Sequence, residues 1–247
     1  MTEQMTMMTD RLSVKVSPTV SAPGHREHRG AAIAAGVLFI TGTIAGILSK
    51  VVLSDVSGAS DPVGTASTHQ AAVVTGAALI LMMGLSLALI PVVLMPVLRP
   101  ASEFLAYGYL VIRGAVETAC YVVLAAGVLT LVTLSGLGGP EETWRELGRV
   151  LVDSEAMTTV LTVVFCLGAA LFYIAIFRSR IAPRWLSGWG LVGIPIYLLA
   201  ALLAAFGAIE MNSTTQTLLF MPLALQEMVL AIWMIARGFR PIRSKSE

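Results

Sequence analysis

The sequence predicts an all-α fold, a polytopic membrane protein built as a bundle of six transmembrane helices. Three observations predict it. Hydrophobic residues make up 56% of the chain and charged residues only 13%, six apolar runs are long enough to cross a bilayer, and basic residues segregate to alternate connections. Because soluble domains carry about a quarter charged residues, a soluble fold is excluded.

Six apolar runs define the spans, since about 20 apolar residues cross about 30 Å of hydrocarbon. The runs lie at about 31–53, 71–98, 104–135, 157–177, 188–209 and 217–237. Pro91 and Pro96 are expected to bend the second span. The third span is long enough that it must tilt or emerge from the bilayer.

The segment GGPEETWRELGRVLVDSEA predicts a short amphipathic outer helix between the third and fourth spans. Pro140 suits a first helical position, and Glu141 and Glu142 suit a first turn. One face would carry Trp144, Leu147, Val150 and Leu151. EETWR is similar to one piece of the glutamate motif of intramembrane CAAX-type proteases. Those enzymes also need intramembrane histidines, whereas His25, His28 and His69 lie outside the spans or at an edge, so that activity is rejected.

The domain organisation predicted is a disordered cytoplasmic tail at 1–29, a single six-helix transmembrane domain at 30–241 and a short basic cytoplasmic tail at 242–247. His25 and His28 make too weak a pair for a metal site, and no metal is expected. Cys120 and Cys166 lie inside apolar runs and are interpreted as packing residues. Gly42 and Gly46 form a GxxxG motif, interpreted as packing within the monomer rather than in a dimer.

The orientation follows from the basic residues, which favour the cytoplasmic side. With the N-terminus inside, twelve basic residues lie on the inner side and three on the outer side. The inner set is Arg11, Lys15, Arg26, Arg29, Arg99, Arg178, Arg180, Arg184, Arg237, Arg240, Arg243 and Lys245, and the outer set is Lys50, Arg145 and Arg149. We therefore expect a bacterial inner (plasma) membrane protein, multi-pass, with both termini cytoplasmic.

The stretch YLVIRGAVETACYVV places Arg113 and Glu117 one helical turn apart inside the third span. A charge at a helix centre costs about 2.5–3.5 kcal/mol on an insertion scale, so two charges roughly cancel the apolar gain of this span. The spacing lets the two side chains pair on one face. That face is expected to turn toward other helices rather than lipid.

A second carboxylate lies at a similar depth. Counting about 1.5 Å per residue puts Arg113 at ~14 Å, Glu117 at ~20 Å and Glu227 at ~15 Å from the inner boundary. The same layer would hold Thr41, Thr43, Tyr197 and Gln226. The sequence thus predicts an intramembrane polar cluster of Arg113, Glu117, Gln226, Glu227 and Tyr197.

The cluster has one arginine for two acids, so one carboxylate is expected to hold a proton near neutral pH. Two hypotheses remain open. In the leading one the cluster is a polar clamp between the third and sixth spans of a non-enzymatic membrane protein whose biochemical role is unknown. In the alternative the chain is a small proton-coupled transporter or a membrane ligand-binding protein that uses the glutamates.

Two further stretches carry a family resemblance. RIAPRWLSGWGLVG (180–193) and MPLALQEMVLAIWMIARGF (221–239) resemble the uncharacterised bacterial membrane family known as domain of unknown function 4386 (DUF4386). The resemblance covers roughly 31–241 and implies a six-span layout with an arginine and a carboxylate in the third span, but no activity.

Sequence motifs of soluble-type catalysis are missing. The sequence has no phosphate-binding glycine loop, nucleophile elbow, HExxH motif or Cys/His cluster. We therefore predict a chain that is not an enzyme and holds no cofactor. The expected partners are membrane lipids. A small-molecule ligand is compatible with this interpretation, whereas binding of nucleic acid is not expected. No feature of the sequence specifies an oligomeric state.

Overall fold

The computed structural model describes residues 24–137, 141–152, 155–210 and 213–240. In these ranges the chain is helical and has no strand. The elements are α1 (Gly24–Ser57), α2 (Pro62–Thr68), α3 (Gln70–Leu98), α4 (Glu103–Tyr109), a π-helical segment (Leu110–Glu117), α5 (Thr118–Ser135), α6 (Glu141–Val152), α7 (Glu155–Ser179), α8 (Arg184–Ala205) and α9 (Thr214–Arg237). The tail predicted at 242–247 lies outside the described residues. Residues 1–23 of the tail predicted at 1–29 also lie outside them.

Six helical segments among the described residues are long and apolar enough to cross a membrane, which confirms the predicted fold class. They are His28–Ser57, Gln70–Leu98, Glu103–Ser135, Met157–Ser179, Arg184–Ala205 and Thr214–Arg237. The third of them joins α4, the π-helical segment and α5 in one continuous span.

The fifth span begins and ends earlier than the hydropathy indicates. It starts at Arg184, directly after Pro183, because an extended proline before a helix blocks its backward extension. It ends at Ala205, where Gly207 adopts φ +70°. There the Ala208 amide donates to the Leu203 carbonyl at 2.8 Å, a Schellman closure that needs the left-handed glycine.

The six spans form a ring in chain order. Each span packs against the next along the chain, and α9 packs back against α1. Glycines permit the closest approaches. A Cβ at Gly36 would lie 2.6 Å from the Ala231 carbonyl oxygen of α9, and one at Gly84 would lie 2.7 Å from Cβ of Tyr121. Both distances are too short for a real Cβ, so only glycine lets these helix backbones come so near.

The GxxxG motif of α1 packs within the chain, as the sequence predicted. A Cβ at Gly42 would meet Leu87 at 3.3 Å, and one at Gly46 would meet Met83 at 2.6 Å, both on α3. The motif therefore closes the interface between the first and second spans. Helix α1 itself starts at Gly24, so residues 24–29 extend the first helix and do not belong to a disordered tail. Hydropathy identifies only the apolar run, whereas a helix can continue beyond that run into the polar region at the membrane surface.

The short helices α2 and α6 cover one end of the ring, called here the α6 side. They pack against each other and against α5. Helix α6 was predicted, whereas α2 was not, although the Asp61–Pro62 pair is a helix-start signal. Asp61 Oδ1 accepts a hydrogen bond from the Gly64 amide at 3.0 Å and caps α2. Arg149 of α6 donates to the Ser60 carbonyl at 3.4 Å and ties the two helices together.

The opposite end of the ring carries the connections from α3 to α4 and from α7 to α8. Ser102 caps α4 by accepting from the Leu105 amide at 3.4 Å. Arg99 pairs with Glu103 at 2.9 Å, and this hydrogen-bonded carboxylate raises the pKa of the Arg99 guanidinium. The Arg240 amide donates to the Ile181 carbonyl at 3.0 Å. The segment after α9 thus closes over the turn between α7 and α8.

Candidate functional site

The centre of the ring holds a buried ion pair on the third span. Arg113 Nη1 lies 3.2 Å from Glu117 Oε2, and the side chains are 2% and 0% exposed. Both residues belong to the π-helical segment, where their four-residue spacing keeps them on one face. A pair so fully enclosed is shielded from water and from lipid, which is how an intramembrane charge pair is tolerated.

Glu227 of α9 brings the second carboxylate to the same guanidinium. Its Oε1 lies 3.8 Å from Arg113 Nη2, and its side chain is 16% exposed. That separation is longer than a hydrogen bond, so the contact is an ion pair without direct hydrogen bonding. Arg113 therefore has one close acid partner on its own span and one looser partner on the last span.

Two aromatic rings from other spans complete the surroundings of Arg113. Its guanidinium carbon lies 4.9 Å from the ring centroid of Phe165 on α7 and 5.9 Å from that of Phe39 on α1. Both distances are within the range of cation–π attraction. A single guanidinium thus contacts side chains from the first, third, fourth and sixth spans.

The backbone around the pair is a π-helix, a feature that hydropathy does not reveal. It runs from Leu110 to Glu117 between two α-helical stretches. Widened turns of this kind leave carbonyls without their usual α-helical partner and often occur at functional positions. The Thr118 hydroxyl lies 3.4 Å from the Arg113 carbonyl and 3.5 Å from the Gly84 carbonyl of α3, and can donate to either. Thr118 therefore compensates the widened turn and holds it against the second span.

Two polar atoms of the pair remain without a hydrogen bond. Among the described residues, Arg113 Nε and Glu117 Oε1 are buried and lack a hydrogen-bond partner. One is a donor and the other an acceptor. A buried donor or acceptor without a hydrogen bond destabilises the folded protein unless a water or a ligand group supplies the missing bond.

Gln226 forms a separate polar contact instead of joining the charged residues. Its Nε2 donates to the Leu186 carbonyl of α8 at 2.9 Å, and its Oε1 accepts from the Tyr173 hydroxyl of α7 at 2.5 Å. Gln226 therefore has no direct hydrogen bond to Arg113, Glu117 or Glu227 among the described contacts, and its place in the predicted cluster stays a prediction. Consecutive residues on a helix point in different directions, so Glu227 faces Arg113 while Gln226 faces the fourth and fifth spans.

Tyr197 enters the site as an aromatic neighbour. Its ring stacks on Phe220 of α9 at 4.0 Å between centroids and lies 5.1 Å from Phe165. Tyr197 also lies within electrostatic range of Glu227. Thr41 and Thr43, expected in the same layer, are half-buried on α1 on either side of Gly42.

Sequence reasoning did not single out Phe39, Phe165, Tyr173 or Tyr121. Tyr121 interacts with the Glu117 carboxylate from one turn further along the span. The only sequence signal for them was an aromatic residue at the same depth in the membrane as Arg113 and Glu117. Aromatic residues also occur elsewhere in the apolar runs, so this signal does not distinguish the neighbours of the charges. No group of three or more His, Cys, Asp or Glu side chains that could hold a metal occurs among the described residues. Cys120 and Cys166 are free thiols.

A family model described as "Domain of unknown function (DUF4386)" matches residues 34–238, which is most of the chain. This match confirms the resemblance carried by the two stretches after the fourth span. No curated protein and no solved structure matches the chain.

Proposed function

Since the chain belongs to the DUF4386 family and has six helices long and apolar enough to cross a membrane among its described residues, we propose that it is a non-enzymatic protein of the bacterial plasma membrane, with both termini cytoplasmic. In this proposal the Arg113–Glu117–Glu227 cluster is a polar joint that fixes the spans around the axis of the ring. The twelve-to-three distribution of basic residues supports the orientation.

The proposed polar joint is supported by the number of spans that contact the Arg113 guanidinium. Arg113 pairs with Glu117 on its own span and reaches Glu227, Phe39 and Phe165 on three others. Ring neighbours already pack through their backbones. Arg113 instead links the third span to the sixth, across the ring, so its removal would loosen contacts that no neighbouring pair replaces.

A second candidate function is supported by the unequal burial of the two acids. Glu117 is fully buried beside Arg113, whereas Glu227 is 16% exposed and only loosely paired. Arg113 Nε and Glu117 Oε1 also form no hydrogen bond by geometry, although Tyr121 interacts with the Glu117 carboxylate. In this candidate the Arg113–Glu117 pair is the fixed part of the site, and Glu227 binds a proton or a small polar ligand, as in a small proton-coupled transporter.

One experiment separates the two functions: Glu117→Gln and Glu227→Gln are purified, and their thermal stability and response to pH are compared with those of the unchanged protein. The joint predicts that both variants melt at lower temperature and that no pH-dependent ligand effect is lost. Proton or ligand binding predicts that Glu227→Gln stays folded but loses pH-driven uptake or proton movement in proteoliposomes.

The groups that would influence such a pH response face Glu227 from several spans. They are Arg113, Glu117, Tyr109 and Tyr121 on the third span, Cys166 and Tyr173 on the fourth, and Tyr197 on the fifth. Glu103→Gln is the matched control, because it removes an exposed carboxylate at the end of the third span. If Glu103→Gln and Glu227→Gln behaved alike in both assays, neither function would stand.

A further inference from the structure

We infer that the ring contains a binding site for a hydrophobic organic cation, a substituted ammonium, between Glu227 and the rings of Tyr197, Phe220 and Phe165, reached from the α6 side. This inference rests on the second candidate function, ligand binding, and names its ligand class.

The charge balance of the site favours a cation. Arg113 supplies one positive charge, and its closest acid, Glu117, lies 3.2 Å away with both side chains enclosed. Glu227 lies farther off, at 3.8 Å, and keeps part of its side chain exposed. Its carboxylate is therefore the one that the guanidinium neutralises less completely, and either the proton expected on one of the two acids or a positive ligand group would compensate it. An anion would have to displace an acid from Arg113, whose guanidinium also lies over two phenyl rings.

The aromatic wall of the site suits an ammonium with apolar substituents, and one of its rings, Tyr197, lies within electrostatic range of the Glu227 carboxylate. Tyr197 and Phe220 stack at 4.0 Å with an interplanar angle of 20°, and Phe165 continues this wall at 5.1 Å from Tyr197. All three rings are half-buried. A carboxylate beside aromatic rings is the combination by which proteins recognise substituted ammonium groups, through charge and cation–π attraction. Phe165 already contacts one cation, the Arg113 guanidinium.

The site is closed on one side and looser on the other. Toward the end that carries the α7–α8 turn, Tyr109 stacks on Phe172, and Tyr173 bonds to Gln226, with all four side chains at most 2% exposed. This layer blocks access from that end.

The aromatic wall lies on the other side of this layer. Phe165 precedes Tyr173 on α7, and Phe220 precedes Gln226 on α9, and both helices start at the α6 side. Helix α8 runs the other way, and Tyr197 lies in its second half. The half-buried rings therefore lie between the sealed layer and the α6 side, which gives the direction of entry.

The test measures binding of benzyltrimethylammonium to the full-length protein in lipid nanodiscs by isothermal titration calorimetry, with phenylacetate as the anionic probe. We expect saturable binding of the cation and none of phenylacetate. Glu227→Gln should weaken cation binding at least about tenfold, since it removes the compensating charge. Tyr197→Leu and Phe220→Leu should each weaken it about two- to thirtyfold, the loss of one cation–π contact.

The control variants are Leu218→Ala, which shortens an exposed apolar side chain of α9, and Glu103→Gln, which removes an exposed carboxylate. Both should bind the cation as the unchanged protein does. If Glu227→Gln does not fold, the two leucine variants decide the outcome, with circular dichroism to verify their folding.

Three results would overturn the inference: no saturable cation binding to the folded protein, binding unchanged by the leucine variants, or tighter binding of phenylacetate. The outcome for ligand binding itself is separate. If the protein binds phenylacetate, or shows proton movement lost in Glu227→Gln, without binding the cation, the second candidate function stands and only the ligand class fails.

Discussion

The Arg113–Glu117 pair can be tested by removing one charge and then both. Arg113→Met leaves the fully buried Glu117 carboxylate without the guanidinium that lies 3.2 Å away. Removing one partner of a buried pair destabilises a protein by about 3–5 kcal/mol, because the remaining charge is uncompensated. The variant also loses the contacts of the guanidinium with Phe39 and Phe165, each about 0.5–2 kcal/mol.

We therefore expect Arg113→Met to lower the free energy of unfolding by at least about 3 kcal/mol. Glu117→Gln should also destabilise, since it leaves Arg113 with only the looser partner Glu227. The double variant Arg113→Met/Glu117→Gln removes both charges together. It should lose less stability than the two single variants combined, with a coupling of about 1–3 kcal/mol.

The assay is reversible unfolding in mixed micelles of a mild detergent and dodecyl sulfate, followed by circular dichroism. The pair Arg99–Glu103 provides the control, because it has the same four-residue spacing and a 2.9 Å contact but side chains 57% and 65% exposed. The matching changes Arg99→Met and Glu103→Gln should alter stability little, since water screens the pair. A coupled buried pair is refuted if Arg113→Met unfolds like the unchanged protein, or if the effects of Arg113→Met and Glu117→Gln simply add in the double variant.

Further predictions concern the interfaces of the ring and its orientation. Gly36→Ala should lower the melting temperature, because its Cβ would lie 2.6 Å from a carbonyl oxygen of α9. Gly30→Ala, which has open space around its Cβ, should be neutral or stabilising. Equal melting temperatures of the two variants would contradict the close approach of α1 and α9. Gln226→Leu should destabilise by about 1–3 kcal/mol in a chemical unfolding titration, because it strands a buried hydroxyl and a carbonyl, and adding Tyr173→Phe should recover part of that loss. The orientation is tested in a variant whose two native cysteines are replaced by serine. A cysteine introduced at the exposed position of Ser67 should react with an impermeant maleimide on intact cells, whereas a cysteine appended to the C-terminus should react only after the cells are permeabilised. The reverse pattern would contradict the orientation.

Hydropathy could predict the six spans because crossing a bilayer requires long apolar helices whatever their packing. The amphipathic helix α6 followed from its own periodicity, and the pairing of Arg113 with Glu117 could be expected from their spacing on one helix. The start of α8 was less predictable. Pro183 begins the helix at Arg184, inside a polar stretch that hydropathy assigns to a connection.

The sequence by itself thus determined the class of the protein, the number of its spans and the residues that need shelter from lipid. The tertiary structure decided what shelters them. Whether α9 presents Glu227 or Gln226 to Arg113 depends on the rotation of that helix about its axis, and the sixth span can be rotated without any change in its hydropathy. The rotation is fixed by contacts between distant segments, such as Gly36 against the Ala231 carbonyl and Gln226 against Tyr173 and Leu186. Local patterns describe one helix at a time, so they carry no information on how six helices close around a shared charge.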